Sequence, residues 1–325
     1  MKAQPVESTR KIAPRQLEIG SDEAGQRVDN FLLSRLKGVP KSRVYRMLRT
    51  GEVRVNKGRV KAHYRLCCGD IVRIPPVVLN EREAVAGTAR GMGRRLQSRI
   101  LYEDEGLLVL NKPAGMPVHG GSGLRGGVIE ALRVVRPQAG FLELVHRLDK
   151  DTSGCLLIAK KRQVLRALHD QLRKHAVDKR YLVLLSGFWR QRYQLVDVPL
   201  RKFVLQGGER LVRVDGQGKA ARTEFRRLEH LTGATLVQAR LLTGRTHQIR
   251  VHAAWLGHPI AGDSRYGDAE ANRRLRDLGL RRLFLHARRL AFPHPLSGDM
   301  MVVEAPLEPE LENLLSRLRT HEPED

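Results

Sequence analysis

The sequence is poor in the residues that staple small folds or hold metals. It has three cysteines in 325 residues: Cys67, Cys68 and Cys155. An odd, small number supplies no disulfide framework, and two adjacent cysteines are no half-site for zinc. No Cys/His cluster stands elsewhere, and His247 and His252 lack the spacing of a zinc-protease helix, so no metal is expected. No run of 18 apolar residues exists, which excludes a predicted membrane-spanning helix. Residues 1–14 lack the apolar core of a signal peptide, so the cytoplasm is the expected compartment. Aromatic residues make up only 5% of the chain. Acids are also scarce, 35 against 59 Lys and Arg, which leaves a net charge of +24. An excess of that size points to a polyanionic partner, nucleic acid or the ribosome.

Nucleotide motifs are missing as well. No G-x-x-x-x-G-K-[ST] is present, which excludes a P-loop NTPase. Residues 121–126 match G-x-G-x-x-G, but Asn111–Pro117 separates them from the preceding strand. That stretch is expected to be a loop, and Glu143 downstream has no dinucleotide unit to serve.

What is present reads as an α+β chain, 41% hydrophobic and long enough for two domains. Residues 1–19 read as a disordered arm, 20–76 as a small basic domain, 77–98 as a polar linker, 99–319 as a larger domain and 320–325 as a loose tail. In the small domain Asp22 is a candidate cap for a helix with Val28, Phe31, Leu32 and Leu36 on one stripe. Pro40 suits the first turn of a second helix through Arg49, which Gly51 ends. Between residues 41 and 65 there are nine Lys or Arg and one acid, Glu52, a net of +8. Val44, Met47 and Leu48 are expected inside. Lys41, Arg43, Arg46, Arg49, Arg54 and Lys57 then form a surface suited to tracking phosphates. The stretches Gly25–Leu32, Lys41-Ser42-Arg43, Gly51–Asn56 and Gly69-Asp70 resemble the S4 RNA-binding domain.

In the larger domain, strand patterns fall at 107–110, 155–159, 181–185, 222–228, 234–242 and 300–304. Helical patterns fall at 127–135, 161–174, 246–256 and 308–319. Strands and helices do not alternate strictly, so the sheet should be mixed and mostly antiparallel. Three segments carry candidate chemistry. His146–Gly154 (HRLDKDTSG) sets two carboxylates among cations at the mouth of an apolar strand, where an aspartate serves as nucleophile or base, or as half of an ion pair. Lys179–Leu184 (KRYLVL) opens a strand with Tyr181, whose ring can stack on a base and whose phenol can carry a proton. Leu241–His252 (LLTGRTHQIRVH) passes from strand to helix with Thr246 as a candidate cap and Gly257 as a stop. Arg245 would stand at the junction, close enough to hold Asp149 ionised.

These three segments, with Val109–Gly115, His119-Gly120-Gly121 and Leu285-His286-Ala287, resemble RluA-type pseudouridine synthases over residues 20–307. The resemblance implies an isomerase that acts on uridine in 23S rRNA, free or in an assembling large subunit, as a monomer without a cofactor. It implies that Asp149, Tyr181 and Arg245 are catalytic. Arg147 would fill the space left by a flipped base, and His247 and Arg250 would touch RNA. Two routes stay open for Asp149: attack at C1′ of the ribose, or promotion of base loss with proton removal. Rival readings are a non-catalytic RNA-binding assembly factor on the same fold and an RNA methyltransferase with an S4 arm. The second lacks its nucleotide loop.

Overall fold

The structure, a computed structural model, describes residues 8–36, 39, 41–81, 83–120, 126–204 and 210–320. The chain divides into two compact units, Met1–Thr88 and Ala89–Asp325.

The first unit contains β1 (Ser8–Ile12), β2 (Arg15–Glu18), α1 (Val28–Arg35), α2 (Lys41–Thr50), β3 (Arg54–Val55), β4 (Ile71–Ile74) and β5 (Val77–Glu81). On α2 the i, i+3, i+4 set Val44, Met47 and Leu48 is buried, and Lys41, Arg46 and Arg49 are exposed. Gly51 follows that helix with φ +73, the left-handed conformation that ends helices and favours glycine. Asn56 and Lys57 both have positive φ, 49 and 66, the two-residue turn whose twist matches its flanking chain.

Three expectations for this region are corrected. Residues 8–12 and 15–18 of the expected arm are strands: β2 pairs antiparallel with β4, and β1 with β5. Leu17 and Ile19 pack into the core, but two apolar positions are too short a pattern to announce a strand. The expected linker 77–98 is β5 followed by α3 (Glu83–Gln97). Its glycines look like a spacer, yet a Cβ on Gly93 would stand 2.4 Å from the Ala131 carbonyl oxygen, a close approach that only glycine allows. Asp22 does not cap α1, because the Val28 and Asp29 amides donate to the carbonyls of Tyr64 and Ala62. Pro40, residues 121–125 of the expected loop and residues 321–325 of the expected tail lie outside the described residues, and Thr320, the first residue of that tail, ends a helix.

The second unit is built on a ten-stranded mixed sheet. Its strands are β6 (Ile100–Glu103), β7 (Leu107–Lys112), β8 (Glu143–Leu144), β9 (Ser153–Ala159), β10 (Asp178–Ser186), β11 (Tyr193–Asp197), β14 (Arg222–Leu231), β15 (Ala234–Leu241), β16 (Leu285–Pro293) and β17 (Met300–Glu304). A separate hairpin comprises β12 (Leu200–Val204) and β13 (Arg210–Val214). The helices are α4 (Val128–Val135), α5 (Arg162–Arg173), α6 (Gln248–Trp255), α7 (Ala269–Asp277) and α8 (Pro309–Thr320). Sheet order is β11-β14-β15-β10-β16-β9-β7-β6, with β17 on β16 and β8 on β9. Every pairing is antiparallel except β9 with β16, where Ser153 faces His286 and Gly154 faces Ala287. A Cβ on Gly154 would meet the Ala287 carbonyl oxygen at 2.3 Å, so the one parallel contact depends on that glycine.

The predicted strands and helices of this unit stand at their places. Residues 201–219, which carry no strand or helix pattern, hold most of the β12–β13 hairpin, with Arg201, Lys202 and Arg213 exposed on it. Among the described residues no helix is long and apolar enough to cross a membrane.

Candidate active site

Asp149 stands in the turn between β8 and β9, and that turn is pinned from two sides. Lys112, fully buried at the end of β7, donates all three ammonium protons to carbonyls: Pro113 and Met116 at 2.8 Å each and Lys150 at 3.0 Å. Burial pulls its pKa down to about 7. On the other side the Leu157 amide donates to Nε2 of His146 at 3.1 Å. Burial lowers the His146 pKa to about 4, so the imidazole is neutral and free to accept. Leu148 anchors the turn in the core, and the Thr152 amide donates to the Asp149 carbonyl.

The Asp149 side chain opens into a cavity of about 350 Å³, whose lining includes Arg147, Lys179, Tyr181, Arg245, His247 and Arg250. Tyr181 is brought there by a register shift on β10: pairing with β15 is regular through Tyr181 and Ala239, but pairing with β16 slips between Arg180 and Leu182. Such irregularities re-aim side chains beside functional sites. Burial and then the Asp149 charge push the phenol pKa well above its ordinary value. No hydrogen bond to the phenol oxygen is present among the described residues. Lys179 shares the face of Tyr181, two residues away on the strand, and burial lowers its pKa.

Two nitrogen-bearing side chains, a guanidinium and an imidazole, approach the carboxylate. Arg250 Nη1 and His247 Nε2 each lie 3.9 Å from Asp149 Oδ2. Arg250 is 7% exposed, and its Nε and Nη2 both bind Asp263 at 2.7 Å. Burial opposes charge on both partners, but the paired hydrogen bonds outweigh it, holding Arg250 above and Asp263 below their ordinary values. Burial lowers the His247 pKa against the pull of Asp149, and Arg250 and Arg265 lower it further.

The expected Asp149–Arg245 pair is therefore corrected. Arg245 is exposed and donates from Nε to the Ala220 carbonyl at 2.9 Å, with no ion pair to Asp149 within 4 Å. Thr246 is not the helix cap either: α6 begins at Gln248 with His247 at the cap position in a left-handed conformation, φ 54. The reason is Gln248, 2% exposed. Its side-chain oxygen accepts from the Thr243 hydroxyl and the Arg245 amide, and its nitrogen donates to the Arg222 carbonyl and Thr223 hydroxyl. That clamp draws residues 243–245 against β14 and delays the helix by one turn position. It leaves Arg245 before the helix and turns Arg250, expected as an RNA contact, inward.

Of the expected basic surface on the first unit, Arg43 is engaged, its two terminal nitrogens bound to the Glu52 carboxylate at 2.9 and 2.7 Å. Arg54 donates weakly to the Gly51 and Lys57 carbonyls. Lys41, Arg46, Arg49 and Lys57 are exposed. Lys112, Gln248, Asp263 and Tyr266 were not singled out by sequence pattern. The only signal was a buried-type position held by a polar residue, which a single sequence does not distinguish from an exposed one.

A family profile described as RNA pseudouridylate synthase matches residues 106–255, and one described as S4 domain matches residues 26–72. The chain is 56% identical to Ribosomal large subunit pseudouridine synthase C of Pasteurella multocida (strain Pm70) over 308 residues, 94% of each protein. It is 56% identical to the protein of that name from Escherichia coli (strain K12) over 305 residues, 93% of this chain and 95% of that one. Among solved structures, Human RNA Pseudouridylate Synthase Domain Containing 4 superposes with a TM-score of 0.61 at 27% identity, covering 73% of this chain and 99% of that one.

Proposed function

The chain belongs to the RNA pseudouridylate synthase family and carries an S4 domain, and from that premise we propose that it isomerises particular uridines of 23S rRNA to pseudouridine. The reading rests above all on Asp149, a carboxylate opening into a cavity beside Tyr181 with the Arg250 guanidinium and the His247 imidazole each 3.9 Å from its oxygen. A base within folded RNA must leave its stack to reach such a cavity, at a cost of a few kcal/mol. Arg147, exposed at the cavity, is placed to fill the gap in the RNA.

In the reaction the N1–C1′ bond of uridine breaks, the uracil turns, and a C5–C1′ bond forms. The hydrogen lost from C5 is balanced by one gained at N1, so substrate and product are isomers and no electron or group is transferred. Asp149 works at C1′, by attack or by promoting departure of the base. Arg250 rather than Arg245 is the guanidinium that faces it, with Nη1 3.9 Å from Oδ2. Tyr181 stacks on the base, and its phenol, kept protonated by burial and without a hydrogen-bond partner among the described residues, is placed to pass a proton. The protein acts as a monomer in the cytoplasm, with the basic surface of the first unit gripping rRNA.

The test is pseudouridine mapping on unmodified 23S rRNA and on large-subunit precursor particles, with the wild-type protein and with Asp149→Asn. New pseudouridines at a few discrete sites, lost in the variant while RNA binding stays within several-fold, are expected. Turnover by Asp149→Asn would refute the assignment of Asp149. Absence of any product with binding intact would make the chain an RNA-binding assembly factor.

A further inference from the structure

Both groups beside Asp149, Arg250 and His247, are held by one short segment, Asp263–Tyr266, that the reaction described above does not use. Asp263 grips Arg250. Tyr266 touches both: its ring centroid lies 5.0 Å from the Arg250 guanidinium carbon, and its hydroxyl oxygen lies 2.8 Å from His247 Nδ1. The segment is braced internally. The Arg265 and Tyr266 amides donate to Asp263 Oδ1 at 2.9 and 3.1 Å. A Cβ on Gly267 would stand 2.1 Å from the Asp263 carbonyl oxygen, so the turn after Tyr266 admits only glycine.

The Tyr266 hydroxyl accepts the Val212 amide of β13 at 3.1 Å, which leaves its own proton available to His247 Nδ1. A neutral imidazole that accepts at Nδ1 carries its hydrogen on Nε2, and Nε2 is the nitrogen that faces Asp149. His247 holds a left-handed backbone, which a non-glycine residue adopts where its surroundings impose it, as they do at functional sites.

We propose that Tyr266 is a positioning residue for the isomerisation: it accepts the Val212 amide, donates to His247 Nδ1, and so fixes His247 as the tautomer that presents Nε2–H to Asp149. The chain of contacts joins the β12–β13 hairpin to the catalytic carboxylate. That hairpin exposes Arg201, Lys202 and Arg213, so RNA lying on it bears on Val212 and, through Tyr266, on His247. The 3.9 Å gap between His247 and Asp149 is about an ångström beyond a hydrogen bond, the kind of distance that tightens when substrate binds. The inference rests on Asp149 being the reacting carboxylate.

Its test is steady-state kinetics on unmodified rRNA for Tyr266→Phe, His247→Leu, His247→Gln and the Tyr266→Phe/His247→Leu double variant, with Asp149→Asn as reference. Tyr266→Phe should lower kcat about tenfold with KM within about twofold, and His247→Leu by about 10–100-fold, the scale of a small misplacement of a reacting group. His247→Gln, which keeps an N–H donor, should recover most of that loss. The double variant should be no slower than His247→Leu alone, because the two residues act in series. Full kcat in Tyr266→Phe, multiplying losses, no rescue by Gln, or a loss in Tyr266→Phe seen only as raised KM and lowered Tm would each overturn the proposal. An active Asp149→Asn would instead bring down the reading of Asp149, while an inactive one beside an unaffected Tyr266→Phe would bring down only the role of Tyr266.

Discussion

Arg250 faces Asp149 across 3.9 Å while its other two nitrogens are locked onto Asp263. One guanidinium thus serves two carboxylates, one buried and structural, one open to the cavity. Arg250→Met leaves Asp263 buried without that partner and removes the guanidinium that faces Asp149. Losing one member of such a buried pair costs about 3–5 kcal/mol, so both Tm and kcat should fall sharply. Arg250→Lys should recover little, since an ammonium does not reproduce the planar fork. Arg245→Ala, by contrast, removes one contact to a carbonyl and should act mainly on KM. A kcat loss larger for Arg245→Ala than for Arg250→Lys would reverse this assignment.

Tyr181→Phe keeps the ring and removes a phenol that has no other partner. Turnover should fall by about 10²–10⁴-fold, the usual contribution of a placed proton donor, with RNA affinity preserved. Single-turnover rates decide: an unchanged rate would leave Tyr181 with stacking alone.

Lys112 does not line the cavity, yet Lys112→Met should impair catalysis. Three carbonyls would lose a buried donor, each worth up to about 1–3 kcal/mol when left unmet, and one belongs to Lys150, beside Asp149. Lower Tm together with lower kcat is expected in thermal melts and kinetics. A variant as stable and active as the parent would contradict the pinning role.

Acid should destabilise the fold in a defined window. Burial lowers His146, His252 and His286 to about 4 each, below the ordinary 6.5. In the unfolded chain these rings charge first, so the stability they contribute is complete above about pH 6.5 and is lost progressively as pH falls towards 4. Glu103, held down to about 2 by Arg136 and Lys160, adds a second loss only below about pH 4.5. Tm measured from pH 8 to 4 should drop across the first window, and His286→Asn should make that drop shallower.

On the first unit, Arg46 and Arg49 are exposed, whereas Arg43 is committed to Glu52. Removing one phosphate contact lowers the slope of log K against log salt by roughly 0.7–0.9. Arg46→Ala and Arg49→Ala should each do so in RNA-binding titrations. Arg43→Ala should leave the slope nearly unchanged, and an equal effect from all three would mean that the Glu52 pair opens on RNA.

The sequence by itself determined the order of the units and the mixed antiparallel sheet, and it singled out Asp149 and Tyr181, which line one cavity in the structure. Apolar periodicity is a local property, and both residues lie in contiguous segments whose composition announces them. It did not determine which arginine meets Asp149. Arg245 and Arg250 are five residues apart, and the choice between them turns on where α6 begins, which Gln248 decides by binding Thr223 and Arg222 on another strand. Nor did it reveal that Lys112 pins the Asp149 turn, or that Tyr266 and Asp263 support both groups beside the carboxylate. Those partners lie 13 to 38 residues apart. A buried charge or donor is satisfied by whatever packing brings within about 3 Å, and no local periodicity records that.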